Sequence, residues 1–149
     1  MSKKIIAGLA CLLVFITACK KEQLAPTVAL NETIVITDTS LSITSLKPVV
    51  SGTFGSGPFG TVSGKAEIYK QGDKYSLKLS DFSTNNGPAL HVYLSKEAMP
   101  VRYLDLGELK STNGNQVYPI AGSPDFAEYS YVSIHCVAYN HLFGSAGLK

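Results

Sequence analysis

Val62-Ser63-Gly64-Lys65-Ala66-Glu67-Ile68, the link Gln71-Gly72-Asp73, and Tyr75-Ser76-Leu77-Lys78-Leu79 are the stretch whose reading decides the fold class. Val62, Gly64, Ala66 and Ile68 share one side of a strand, and Tyr75, Leu77 and Leu79 alternate with Ser76, Lys78 and Ser80 on the next. A period of two marks a half-buried strand, because successive side chains point to opposite faces of a sheet. The link around Gly72 reads as a hairpin turn. Leu90 to Leu94, Val117 to Ile120 and the strongly apolar Tyr131 to Ala138 extend the pattern, with turn-rich stretches at Asn85-Asn86-Gly87-Pro88 and Lys110 to Asn115. Ser95 to Ala98 offers at most one helical turn. Short strands spaced by about 8–12 residues predict an all-β domain, an antiparallel β-sandwich or a barrel-like fold.

Composition agrees with one packed domain. The chain has 149 residues, 45% hydrophobic and 16% charged, with Gly 13, Pro 7 and no Trp, a turn-rich balance suited to strands. No run of about 20 apolar residues occurs in the body, so no helical membrane span is expected there. The formal charge is +2. Without Lys3 and Lys4, which sit in a segment read below as removable, the 13 basic residues fall level with the 11 acidic ones. That balance carries no electrostatic footprint for nucleic acid.

The first residues read as an address. Met1 to Lys4 is short and basic, and Ile5 to Phe15 is apolar, the layout of a secretory leader too short for a stable membrane span. Ile16-Thr17-Ala18-Cys19 then resembles a bacterial lipobox. The resemblance implies removal of residues 1–18, a thioether-linked diacylglycerol on Cys19 and acylation of the new amino group. Several acyl chains hold a protein on a membrane where one is marginal. Lys20 follows Cys19 where inner-membrane lipoproteins carry Asp, and Lys20-Lys21-Glu22 is similar to surface-export signals, so the expected location is the outer membrane, on either face. Of the 3 cysteines, Cys11 leaves with the leader and Cys19 carries lipid, so Cys136 is the one thiol expected in the mature chain. Residues 19–47, rich in Ser, Thr, Asn and Pro, are expected as a flexible tether with an extended stretch at Thr33 to Thr37, and Pro48 to Lys149 as the β domain.

Several blocks of that domain resemble the DM-thirteen family. They are Gly52-Thr53-Phe54, Gly60-Thr61-Val62-Ser63-Gly64-Lys65-Ala66, Leu79-Ser80-Asp81-Phe82, Gly87-Pro88-Ala89-Leu90-His91-Val92-Tyr93-Leu94-Ser95, Tyr131 to Tyr139 and Phe143-Gly144-Ser145-Ala146. The resemblance implies an all-β fold and an electron-transfer role. It also implies that the family's characteristic cysteine, a bare thiol or the holder of a prosthetic group, falls on Cys136. The chain departs from the family at Ala89, where many members are acidic.

The residues themselves leave two readings of Cys136 open. Strand alternation puts Val132, Ile134, Cys136 and Ala138 on one side and Tyr131, Ser133, His135 and Tyr139 on the other. A cysteine on the apolar side packs as a small, inert hydrophobe, whereas a working thiol needs a partly exposed, electropositive setting. The 3 histidines are His91, His135 and His141. His135 is adjacent to Cys136 and should point to the opposite face. His141, read as a loop residue before Phe143, could fold back towards Cys136. A set of Cys136, His141 and His91 would suit copper or haem iron by ligand type; the other reading is three hydrogen-bonded imidazoles with no ligand. Covalent c-type haem is excluded, because there is no Cys-x-x-Cys-His.

Common enzyme motifs are missing. There is no Gly-x-Ser-x-Gly and no His-Glu-x-x-His, and Gly55 to Gly60 lacks the Lys-Ser/Thr ending of a phosphate cradle. The carboxylates from Asp81 to Glu128 are scattered singly, without the pairing of acid–base catalysis. The resemblance implies a membrane-anchored electron-transfer or redox accessory domain acting through Cys136 and meeting a redox or surface protein; the alternative is a non-catalytic β binding module with Cys136 in its core.

Overall fold

The computed structural model describes residues 23–35 and 47–149. Residues 1–22, which contain the expected leader and Cys19, and residues 36–46 of the expected tether lie outside the described residues. Among the described residues the fold is all-β, with β1 Leu30–Asn31, β2 Val50–Ser56, β3 Val62–Gln71, β4 Lys74–Thr84, β5 Leu90–Ser95, β6 Tyr103–Glu108, β7 Asn113–Ile120, β8 Tyr131–Cys136 and β9 His141–Gly147. They form one sheet in the order β1-β7-β4-β3-β2-β9-β8-β5-β6, curled into a half-barrel. The pairings are antiparallel except β1 with β7, which is parallel.

The deciding hairpin is present. Gln71 pairs with Lys74 across Gly72-Asp73, and Gly72 takes φ +56°, a conformation glycine adopts without strain. Ala66, Ile68, Leu77 and Leu79 from this hairpin are fully buried. β2 turns the sheet: Val50 to Thr53 pair with β3, and Phe54 to Ser56 pair with β9. The curl brings the hairpin's apolar side against Val92, Leu94, Val132, Ile134 and Ala146, which are also fully buried. Burying one such aliphatic side chain contributes about 1.5–3 kcal/mol.

Residues 23–32 depart from the expectation of a tether. They run as a strap from the β4–β5 loop across the β6–β7 loop and onto β7. The Ala89 N–H donates to Gln23 O at 3.2 Å, the Thr112 N–H to Pro26 O at 2.8 Å, and the Ser111 hydroxyl to Val28 O at 2.6 Å. Leu30 and Asn31 then pair with Gly114 and Asn115. Gly114 has φ +93°, and a Cβ there would lie 2.1 Å from Leu30 O, so a glycine is what lets the strap approach. Beyond β1, Glu32 pairs with Lys110 at 2.8 Å and accepts the Val117 N–H at 2.7 Å. Burial would raise the Glu32 carboxyl pKa, but the Lys110 and Val117 hydrogen bonds and the Lys110 charge outweigh it and hold the group below its ordinary value. A polar sequence can dock this way because backbone groups at a sheet edge need partners whatever the side chains are.

Other boundaries also shift. Ser95 closes β5 and Lys96 to Ala98 is a bend rather than a helical turn, and β7 begins inside the stretch read as a loop. β2, β6 and β9 are strands without a clear alternating signal, and His141 opens β9 instead of lying in a loop.

Candidate functional site

Cys136 ends β8 on the inner face, in line with Val132 and Ile134, and is 1% exposed. Its roof is the loop between β4 and β5. The Cys136 Sγ–H donates to Pro88 O at 3.0 Å, and the next residue's N–H, from Val137, donates to Ala89 O at 3.0 Å. Ala89 sits at φ +49°, which costs a residue with a Cβ about 1–2 kcal/mol. The loop therefore holds a strained shape directly over the sulfur.

The imidazoles lie elsewhere. His91 is on the outer face of β5, with Nδ1 2.9 Å from an Asp105 carboxylate oxygen. His135 is the register partner of His91 and faces outward as well, opposite to Cys136. It is nevertheless only 5% exposed. Its Nε2–H donates to Asn140 Oδ1 at 3.0 Å, while Nδ1 is buried without a partner. Burial lowers the His135 pKa; the Asn140 hydrogen bond opposes this, and the nearby His141 and His91 add to it. His141 is the register partner of Cys136 at the end of the β8–β9 pair, but its ring lies flat on Phe59, with centroids 3.7 Å apart and planes within 3°.

Cys136, His91 and His141 are thus not brought together as a ligand set. The sheet separates the sulfur from His91, as the period of two dictates for Leu90 and His91 opposite Cys136 and His135. Among the described residues, no group of three His, Cys, Asp or Glu side chains has the proximity to hold a metal ion. The three donors read from the sequence therefore do not form one shared metal site.

The outer face carries a layer that strand alternation alone did not show. Tyr93 stacks on Tyr103 with centroids 4.0 Å apart, and its ring lies 5.4 Å from that of His135 and 6.1 Å from that of His91. Burial first, then Tyr103 and Asp105, pushes the Tyr93 hydroxyl pKa well above its ordinary value, so it stays protonated. Ser95 and Ser133 are buried in the same layer. Their hydroxyls are 3.2 Å apart, and they donate to Glu97 O and Ala98 O in the segment after β5. The shared parity of His91, Tyr93 and His135 was a usable signal in the sequence. Tyr103 had none, because β6 was not legible.

The family model described as Electron transfer DM13 matches residues 53–148, a span that includes Cys136 and all three histidines. No curated protein and no solved structure matches the chain. With a match over most of its length and an all-β fold, the chain belongs to the electron transfer DM13 family.

Proposed function

We propose that the protein is a lipid-anchored redox accessory domain of the cell envelope, held at the outer membrane through Cys19, that exchanges electrons with a protein partner through Cys136. The observation that carries this reading is the electron-transfer family match over residues 53–148, within which Cys136 is the sole cysteine. A lone thiol has no neighbour with which to close a disulfide. Its two-electron chemistry is exchange: the Cys136 sulfur, having given its proton to solvent, attacks a partner's disulfide, a new S–S bond forms, and the displaced sulfur leaves as a thiolate. The position of Cys136 at a strand end, under one loop and beside exposed Val137, suits a thiol that is uncovered on demand.

Equilibrating the mature chain in glutathione buffers of varied poise, with peptide mapping at Cys136, tests this. A reversible mixed disulfide at Cys136, formed and removed with the fold retained, is expected. A thiol that alkylates in the folded chain yet never holds an oxidised state would overturn the reading.

The burial of Cys136 favours a second reading, a non-catalytic β module that presents its surface to a partner and uses the cysteine as packing. Modification of Cys136 only in the unfolded chain would select it.

A further inference from the structure

We infer that residues 23–26 are a releasable latch that holds the strained Asn86–Ala89 loop closed over Cys136. Its use in electron exchange rests on the reading of Cys136 above; its geometry does not.

The latch is made almost wholly of hydrogen bonds. Asn86 Oδ1 accepts the Ala25 N–H at 3.2 Å and the Gly87 N–H at 2.9 Å, and Asn86 Nδ2 donates to Ala25 O at 2.9 Å. One side chain thus ties the segment to the loop through both backbone polar groups of Ala25. Gln23 O takes the Ala89 N–H, and Leu24 bridges Pro88, the residue whose carbonyl accepts the Cys136 thiol proton. The apolar contribution is small. Ala25 is buried at the edge of the core, but Leu24 is 59% exposed, and the segment shares the lining of a cleft of about 150 Å³ with Leu90 and Leu109.

Segments with few buried apolar contacts and mainly backbone hydrogen bonds open locally, at far lower cost than global unfolding. The rest of the strap is better held, by the β1–β7 pairing and the Glu32–Lys110 ion pair, so release of 23–26 leaves a tied end from which it can re-dock. Once Ala89 loses its partner at Gln23, the Val137 N–H on Ala89 O is the loop's remaining backbone tie to β8, and relief of the left-handed conformation can draw the Pro88 carbonyl off the sulfur. Gln23 follows Cys19 by four positions, so on the lipoprotein reading the latch is among the first residues beyond the membrane anchor. Tension or contact there would be felt at the thiol.

The test is the rate of Cys136 alkylation in the mature chain, read by peptide mapping, with β8 amide exchange as a check on the fold. Asn86→Ala should raise the rate about tenfold or more while β8 protection is retained. Lys110→Ala, which loosens the far end of the strap, should leave it within about twofold. A rate in Asn86→Ala equal to that of the parent overturns the latch. Should Asn86→Ala not fold, the unmodified chain decides. Labelling that depends weakly on urea at low concentration indicates local release, whereas labelling as steep in urea as global unfolding overturns the proposal. Failure here leaves the redox titration untouched, because that experiment reads an equilibrium and this one a rate of access.

Discussion

On the inner face of the β5–β8 pair, Val92, Leu94, Val132 and Ile134 present only hydrocarbon; on the outer face of the same two strands, Tyr93, Ser95, Ser133 and His135 are buried too, but polar. The inner face is stable because apolar area leaves water, and the thiol of Cys136 fits there as one more small group. The outer face is dry only because specific partners satisfy it: Glu97 O and Ala98 O for the serines, Asn140 for His135, and the Tyr103 ring over Tyr93. Burial alone therefore does not distinguish core from candidate site in this fold. In the polar layer of the outer face, His135 Nδ1 is buried without a partner.

Substitutions should separate the faces. The largest effect is expected for Ile134→Ala, which leaves a cavity in the inner face and should cost about 2–5 kcal/mol in urea unfolding. Cys136→Ser should cost about 1–2 kcal/mol, because the hydroxyl can still donate to Pro88 O but is less at home among hydrocarbon. A Cys136→Ser variant as stable as the parent would mean that the inner face is not sealed at the strand end. On the outer face, Ser133→Ala removes a donor to Ala98 O and should cost about 0.5–1 kcal/mol. An effect as large as that of Ile134→Ala would show that the polar layer carries the fold.

The smallest effect is a slope. His135 is held neutral with a depressed pKa in the folded state, so the unfolded chain takes up the proton first, at about pH 6.5. The contribution is fully present above that pH, is lost as pH falls towards the folded-state pKa, and then levels off. Melting temperature followed between about pH 5 and 8 should show this loss in the parent and less of it in His135→Gln. Identical profiles would remove His135 from the account.

How far the sequence foretold these two faces follows from what sets each one. The β3–β4 hairpin and β8 were legible because Ala66, Ile68, Leu77, Leu79, Val132 and Ile134 alternate with polar residues at a strand's period. β9 was not, since Gly144, Ser145 and Gly147 have low strand propensity. Gly144 is there for closeness, because a Cβ would meet Val62 Cγ2 and Gly55 O at 2.6 Å. The strap was illegible for another reason: its order comes from edge hydrogen bonds to Gly114, Ser111 and Thr112, which no local pattern announces. Of the candidate site, the opposed facing of Cys136 and His135 could be read from parity alone. The covering of the outer face could not, because it depends on Tyr103 and Asn140, brought in by β6 and the β8–β9 turn.

The central claim is that the folded chain seals Cys136 beneath the Asn86–Ala89 loop. The most direct measurement is the alkylation rate of Cys136, read by peptide mapping, in the native chain against the same chain in strong denaturant. The native rate is expected to be slower by about a hundredfold or more. Equal rates would contradict it.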